Sequence, residues 1–306
     1  MPLDTLAALD RPQIARRLAG PGLVLRLGPY LSRIRSPLRE LVASTALLYR
    51  NYAVADSDRF ADFEVRVAPT DPIRTWLKPR IIADIGTPAP FQPLPAAHAP
   101  LMLEMALNWS MATRSLDYLI LHAGVVERDG RAVVIPGGSG QGKSTLTASL
   151  AAAGWRYLTD EFGIVDLDGL DVHPYPRPVS LKNESIPIIQ AAAPGEVFSA
   201  VLEDTPKGQV AFMAPPGDAL ALADTPAAPA MIVIPDFTPD AEPDVIVVPR
   251  ARAFFLLTAS SVNYDRFGDR GFEAVAALVD RVPMYQLRYP DLAAAHAMIA
   301  DLFADL

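Results

Sequence analysis

Eight consecutive residues near the middle of the chain have the types and spacing needed to hold phosphate groups. Residues 137–144 read Gly-Gly-Ser-Gly-Gln-Gly-Lys-Ser and match the pattern Gly-x4-Gly-Lys-Ser in full. Glycines let backbone N–H groups converge on phosphate oxygens, and a helix that follows adds the positive potential of its N-terminus. We predict that a nucleoside triphosphate binds to Gly137, Gly138, Ser139, Gly140, Gln141, Gly142, Lys143, Ser144 and Thr145.

Two side chains of this segment could take part in chemistry. The Lys143 ammonium can reach the β- and γ-phosphates, and the Ser144 hydroxyl can ligate Mg²⁺. A glycine-rich turn with an exposed lysine is the alternative interpretation, but an apolar strand before the segment and a helix after it favour phosphate binding. ATP with Mg²⁺ is therefore the expected ligand.

An acidic pair follows the segment closely. Asp160 and Glu161 come directly after the next predicted strand, Trp155–Thr159. Only a helix and this strand, joined by very short connections, separate the segment from the acids. We therefore expect the two acids to lie beside the phosphates. One carboxylate can accept the proton of an attacking hydroxyl while the other helps to hold the metal. A solvated acidic turn is the alternative.

A predicted hairpin places one histidine near the same segment. Asp129-Gly130 separates two apolar runs, which is a strong signal for a two-residue turn. Arg128 then pairs with Arg131, and the same register puts His122 opposite Gly137. An imidazole there could touch phosphate, substrate or the acidic pair, although a lone histidine in a strand can also be a structural hydrogen-bonding group.

Further polar residues downstream are weaker candidates. Lys182 and Glu184 could fold back to the site as a charge clamp and a metal ligand, or they could belong to a solvated loop. Arg177 is a comparable candidate. We predict structural or solvent-facing roles for the remaining histidines, His98, His173 and His296.

The composition excludes several classes of function. The 306 residues carry a net charge of −8 with no block of Lys or Arg, which disfavours nucleic acid or an anionic membrane surface as a partner. No cysteine is present, so disulfides, zinc–thiolate sites and thiol nucleophiles are ruled out. We find neither a signal peptide nor an apolar run of membrane-spanning length, and expect a cytoplasmic protein.

The pattern of elements predicts the α/β class and a division of the chain. Proline-rich residues 86–100 read as an exposed connection, so we predict a small N-terminal α/β unit over residues 1–99 and a P-loop nucleotide-binding core over residues 100–306. The predicted strands are 60–67, 81–85, 118–127, 132–135, 155–159, 231–234, 245–248 and 284–288. The predicted helices are 101–116, 144–153, 272–280 and 291–303.

Three of the quoted stretches resemble one protein family. Leu121–Gly124, Gly137–Ser144 and Gly154–Glu161 are similar to HPr kinase/phosphorylase, and more closely to the HPr-kinase-related serine kinases. The resemblance implies a fold like that of phosphoenolpyruvate carboxykinase, ATP-dependent phosphorylation of a serine in a protein or peptide, and a homo-oligomer. By position it implies Asp160 as catalytic base, with His122 as a further site residue and Glu184 as a further metal-site acid.

The acceptor is left open by the sequence. Asp160-Glu161 stands where the family carries two adjacent aspartates, and the family's Glu-x-Arg-Gly-x-Gly segment has no counterpart here. A kinase of small-molecule hydroxyls and a nucleotide-binding partner protein without transfer activity are the two alternative functions.

Overall fold

A computed structural model describes residues 4–71, 79–138 and 140–306 of the protein and has the mixed α/β architecture that the sequence predicts. In chain order the helices are α1 (Arg11–Ala19), α2 (Arg39–Leu48), α3 (Ala99–Arg114), α4 (Lys143–Ala152), α5 (Ser185–Ala192), α6 (Gly217–Ala221), α7 (Arg250–Ser260), α8 (Asp269–Arg281) and α9 (Leu292–Ala304). The strands are β1 (Leu23–Leu27), β2 (Tyr30–Arg35), β3 (Val54–Ala55), β4 (Phe63–Pro69), β5 (Arg80–Asp84), β6 (Leu94–Pro95), β7 (Leu119–Arg128), β8 (Arg131–Pro136), β9 (Arg156–Thr159), β10 (Phe162–Val165), β11 (Val172–His173), β12 (Val179–Lys182), β13 (Leu202–Thr205), β14 (Gly208–Met213), β15 (Ala228–Phe237), β16 (Asp244–Val247) and β17 (Met284–Tyr289). None of these helices combines the length and apolar character needed to cross a bilayer.

The chain divides into two compact units that are discontinuous in sequence. The first contains the described residues up to Ser115 together with Ser180–Ile186 and Glu196–Ala214. It holds a six-stranded sheet in the order β3-β1-β2-β4-β5-β6 and a three-stranded sheet in the order β12-β14-β13. The second contains Leu116–Val179, Pro187–Gly195 and Pro215–Leu306.

This division differs from the boundary predicted between residues 99 and 100. Helix α3 belongs to the first unit because it packs on β4 and β5. The proline-rich residues 86–100 are also not a solvated connection throughout. Phe91 and Leu94 are buried, and β6 within this stretch pairs with β5. The high proline content correctly indicated an irregular backbone. The burial of its apolar side chains makes the segment part of the first unit.

The second unit is built on one large mixed sheet. Its strand order is β11-β10-β7-β8-β15-β17-β16, and β9 pairs with β7 outside this path. Strands β8, β15 and β17 are parallel, while β7 and β16 run antiparallel to their neighbours. The carboxyl ends of β8, β15 and β17 therefore meet at one edge, where open α/β sheets commonly bind ligands.

Side chains alternate between two apolar layers on the faces of this sheet. Val125 and Val134 join a cluster that includes residues of α7 and α8. Val126 and Val133, their neighbours in sequence, join a second cluster that includes residues of α4 and α9. Because successive strand residues point to opposite faces, the even-numbered His122 lies on the face of β7 that α4 covers.

The predicted hairpin is confirmed. Arg128 pairs with Arg131 and Ala123 with Pro136, so β7 and β8 have the register expected from the sequence. Asp129 and Gly130 have φ values of 54° and 77°. Positive φ at both turn residues is the geometry that an Asp-Gly type I′ turn requires.

Helix α4 approaches β7 unusually closely. A Cβ atom on Gly124 would lie 2.0 Å from Thr147 Oγ1, and Thr147 is fully buried. Only glycine leaves room for the helix at this distance. The glycine–threonine contact therefore lets the middle of α4 pack directly against β7.

Helices α4 and α9 are joined by a partly buried polar contact that predicts a pH effect on stability. Ser149 Oγ and His296 Nε2 are 2.9 Å apart, and burial lowers the pKa of His296 from its usual value of 6.5. The folded state then binds fewer protons than the unfolded state, so the free energy of unfolding is highest above pH 6.5 and falls as the pH decreases below it.

We expect His296→Gln to remove this part of the pH dependence, because glutamine can still pair with Ser149 but does not titrate. Urea unfolding of both proteins between neutral and mildly acidic pH measures the difference. Parallel stability curves for the two proteins would contradict the assignment.

Candidate functional site

The predicted phosphate-binding residues Gly137–Ser144, called here the glycine-rich segment, join β8 to α4. Lys143 is the first residue of α4, and Gly142 is its N-cap with φ of 80°. Gly140 also has a positive φ, 85°, and both values favour glycine. The segment therefore places the N-terminal N–H groups of α4 at the carboxyl edge of the sheet. Ser139 lies outside the described residues.

The polar groups of this segment face one another. Lys143 is buried, and its Nζ donates a hydrogen bond to Gly138 O at 2.9 Å. The Gly138 N–H donates to Gln141 Oε1 at 2.5 Å. A lysine ammonium and a backbone N–H are thus concentrated in one small turn. Anionic oxygens could replace both present acceptors, Gly138 O and Gln141 Oε1, without moving the backbone path of the helix.

Asp160 lies buried at the end of β9. Its side chain is 2% exposed, and Tyr157 Oη is 3.1 Å from Asp160 Oδ1 and 3.0 Å from Arg177 O. A tyrosine hydroxyl has one proton, so it donates to one of these two oxygens at a time. The solvated acidic turn considered as an alternative is wrong for Asp160. A carboxylate buried to this degree requires polar partners, which Tyr157 supplies in part.

His122 and Glu161 form the more accessible part of this region. His122 Nε2 and Glu161 Oε1 are 3.6 Å apart, and about a third of each side chain is exposed. The Ala123 N–H donates to Glu161 O at 3.2 Å, and His122 pairs with Phe162 across β7 and β10. The structure therefore brings Glu161 of the acidic pair to His122.

The register of β7 relates the acids to the glycine-rich segment. Pro136, the last residue of β8, pairs with Ala123 on one side of β7, and Thr159, the last residue of β9, pairs with Val125 on the other. Adjacent strands lie roughly 4.8 Å apart and a strand rises about 3.4 Å per residue, so the ends of β8 and β9, which are offset by two residues of β7, are about 12 Å apart across β7. Gly137 and Asp160 therefore begin their loops at the same end of the sheet.

A second polar group at this edge was not predicted from the sequence. Asp236, on the strand beside β8, pairs with Arg288 at 3.1 Å and accepts a hydrogen bond from Gln286 Nε2 at 3.2 Å. The signal that could have found it is an apolar strand, Met231–Ile234, followed within two residues by an acid. Its position at the carboxyl end of a parallel strand makes it a candidate for ligand contact.

Tyr289 adds a protonated hydroxyl beside the N-terminus of α4. A Cβ on Gly142 would lie 3.9 Å from Tyr289 Oη. Burial, with the nearby Asp236 charge adding to it, raises the pKa of Tyr289 to about 12. The phenol therefore stays neutral over the physiological range and can donate a hydrogen bond.

The predicted metal ligands come from both units. Ser144 and Thr145 lie half-buried in the first turn of α4, whereas Lys182 and Glu184 belong to the first unit, with Glu184 exposed. The part of the chain that the structure describes contains no group of three or more His, Asp or Glu side chains suited to a metal ion. Mg²⁺ bound together with phosphates commonly needs only one or two carboxylates. The Ser144 hydroxyl and the Glu161 carboxylate match this requirement, and their binding of Mg²⁺ stays a prediction.

Comparison with known proteins adds no assignment. Neither a scan of protein-family models nor a search of curated protein sequences finds a match for this chain.

Proposed function

We propose that the protein is an ATP-dependent kinase that transfers the γ-phosphate to the hydroxyl of a serine in a protein or peptide, on a P-loop core resembling that of HPr kinase. The observation that carries the proposal is the buried Asp160 at the same end of the sheet as the glycine-rich segment, with the ends of their strands about 12 Å apart across β7. That separation can be filled by a terminal phosphate and a hydroxyl nucleophile.

The glycine-rich segment would hold the triphosphate. Gly138 N–H and Lys143 Nζ would exchange their present internal acceptors for phosphate oxygens, in the field of the α4 N-terminus. The Ser144 hydroxyl and the Glu161 carboxylate would ligate Mg²⁺. The chemistry that Mg²⁺ supplies when bound is neutralisation of charge on the phosphate oxygens.

Asp160 would act as the general base. The attacking hydroxyl gives its proton to the Asp160 carboxylate as its oxygen forms a bond to the γ-phosphorus. The bond between the γ-phosphorus and the β–γ bridging oxygen breaks, and its electron pair leaves with ADP. Tyr157 holds the base in place through its 3.1 Å contact, and the His122–Glu161 pair can orient the acceptor beside it.

A protein or peptide acceptor is favoured by the resemblance to HPr-kinase-related serine kinases. The resemblance involves the histidine, the glycine-rich segment and the acidic pair in the same order and spacing. In the second unit the histidine lies on β7, and the other two parts directly follow β8 and β9, both of which pair with β7. Their joint placement supports transfer more than it supports nucleotide binding alone.

A labelling experiment tests the proposal. Purified protein is incubated with γ-labelled ATP, Mg²⁺ and a lysate of its own host, beside Asp160→Asn and a control variant, Asp168→Asn. Asp168 is a matched control because its carboxylate is 86% exposed and pairs with Arg270. We expect a labelled polypeptide with wild type and Asp168→Asn and none with Asp160→Asn. Equal labelling by all three, or none by any while ATP still binds, would contradict a protein kinase and favour the small-molecule kinase or the non-catalytic binder.

A further inference from the structure

Strand β16 leaves one edge of the large sheet open. It is the last strand in the sheet order and pairs with β17 on one side, Asp244 opposite Arg288 and Val247 opposite Tyr285. The Val248 N–H continues this pairing by donating to Met284 O at 2.8 Å. Backbone groups alternate in direction along an antiparallel strand, so those of Val245 and Val247 point away from β17. No strand among the described residues pairs with this side.

The open edge is apolar. Val245, Ile246 and Val247 are 40%, 39% and 67% exposed. Proteins usually protect such an edge with charged side chains or cover it, because its free N–H and C=O groups pair readily with another strand. Pro243 and Pro249 lie on either side of the three residues and lack an N–H, which limits pairing to the short stretch between them. The edge is therefore an interaction surface of defined length.

Charge at the two ends of the strand favours one partner. Asp240, Glu242 and Asp244 lie before or at its start, and Arg250 and Arg252 follow its end. When two copies of this strand pair antiparallel about a two-fold axis, the acidic end of each copy faces the basic end of the other. Parallel pairing would place like charges together. A surface complementary to itself is what a two-fold homodimer requires.

We propose that β16 pairs with β16 of a second copy of this chain, joining the two large sheets into one continuous sheet. Each copy uses its β16 edge once, so the assembly closes as a dimer instead of growing into a fibre. The valine and isoleucine side chains of the two strands would cover one another, and the outward backbone groups of Val245 and Val247 would gain partners.

A cleft beside the strand provides further contact area. It has a volume of about 330 Å³ and is lined in part by Val247, Val248, Arg250 and Arg281. In the two-fold arrangement the acidic end of the second copy lies next to this cleft. Arg250 already pairs with Asp280 at 3.2 Å, which leaves Arg281 as the guanidinium best placed to meet the incoming acids.

Sedimentation of the full chain over a range of protein concentrations tests the dimer. We expect wild type to approach twice 33.0 kDa, and Val247→Pro and Val247→Lys to sediment near 33.0 kDa. Proline removes the outward N–H of Val247 and spares the bonds to β17, while lysine adds like charges at the centre of the interface. Val201→Lys, at an exposed valine of the first unit, is the matched control and should remain dimeric. Circular dichroism establishes that each variant is folded.

A charge exchange then identifies the antiparallel self-pairing. Glu242→Arg and Arg252→Glu should each raise the dimer dissociation constant at least about tenfold, and the double variant should return it toward the wild-type value. Three results would overturn the proposal: a wild-type protein of single-chain mass at every concentration, a dimer that both Val247 variants leave intact, or a double variant no tighter than the single ones.

Discussion

Asp160→Asn is expected to lower kcat for phosphoryl transfer by about 10²–10⁴-fold while the dissociation constant of Mg-ATP changes only a few-fold. Asparagine keeps an oxygen that can accept the Tyr157 hydrogen bond at the end of β9. It cannot take a proton from the attacking hydroxyl. The substitution should therefore slow the chemical step and leave nucleotide affinity nearly unchanged. Single-turnover transfer measures the first, and equilibrium nucleotide binding measures the second.

Lys143→Ala is the contrasting variant for this experiment. A hydrogen bond between an ammonium group and an anion contributes about 1.5–3 kcal/mol. Removing it should raise the dissociation constant of Mg-ATP about 10- to 100-fold and lower turnover as well. If Asp160→Asn weakened binding and transfer by the same factor, Asp160 would be a nucleotide ligand. If it left both unchanged, Asp160 would have no part in the site.

Gly124→Ala should be among the most destabilising single-methyl additions in the second unit. The new Cβ would lie 2.0 Å from Thr147 Oγ1 and 3.1 Å from Thr147 Cβ, inside a fully buried contact. Added methyl groups in a packed core typically cost about 1–3 kcal/mol, and more where neither neighbour can move. We expect a lower urea midpoint and, in the folded fraction, weaker nucleotide binding, because displacement of α4 moves the glycine-rich segment.

Two further variants separate this clash from other effects of alanine. Gly195→Ala has no atom within 4 Å of its new Cβ and should leave the urea midpoint almost unchanged. Thr147→Ala removes the clashing hydroxyl, so Gly124→Ala combined with Thr147→Ala should recover part of the lost stability. If the stability changes of the two single variants simply added in the double variant, the glycine–threonine contact would not set the position of α4.

The parts of the fold that followed from the sequence are those with local signals. Asp129-Gly130 determined the turn, the register and the position of His122 on β7, and a short helix and strand then brought Asp160 to the same edge. Helix α1 is not among the predicted helices, although Asp10 and Gln13 form a reciprocal capping box at its start, a local signal from which it could have been predicted.

What the sequence did not show depends on contacts between distant residues. Strands β12–β14 belong to the first unit although they follow β7–β11 of the second. No local sequence pattern predicts that the chain returns to the first unit. The partner of Asp236 could not be predicted for the same reason. Its meeting with Arg288 depends on the parallel pairing of β15 with β17, which are far apart along the chain.

Strand β7 is bonded to β8 along one edge and to β9 and β10 along the other. Because side chains alternate between faces, the insertion or deletion of one residue in β7 would turn every following side chain to the opposite layer and shift both sets of partners together. This strand can therefore vary in residue type over evolution far more readily than in length. Alignment gaps in related chains should fall outside it.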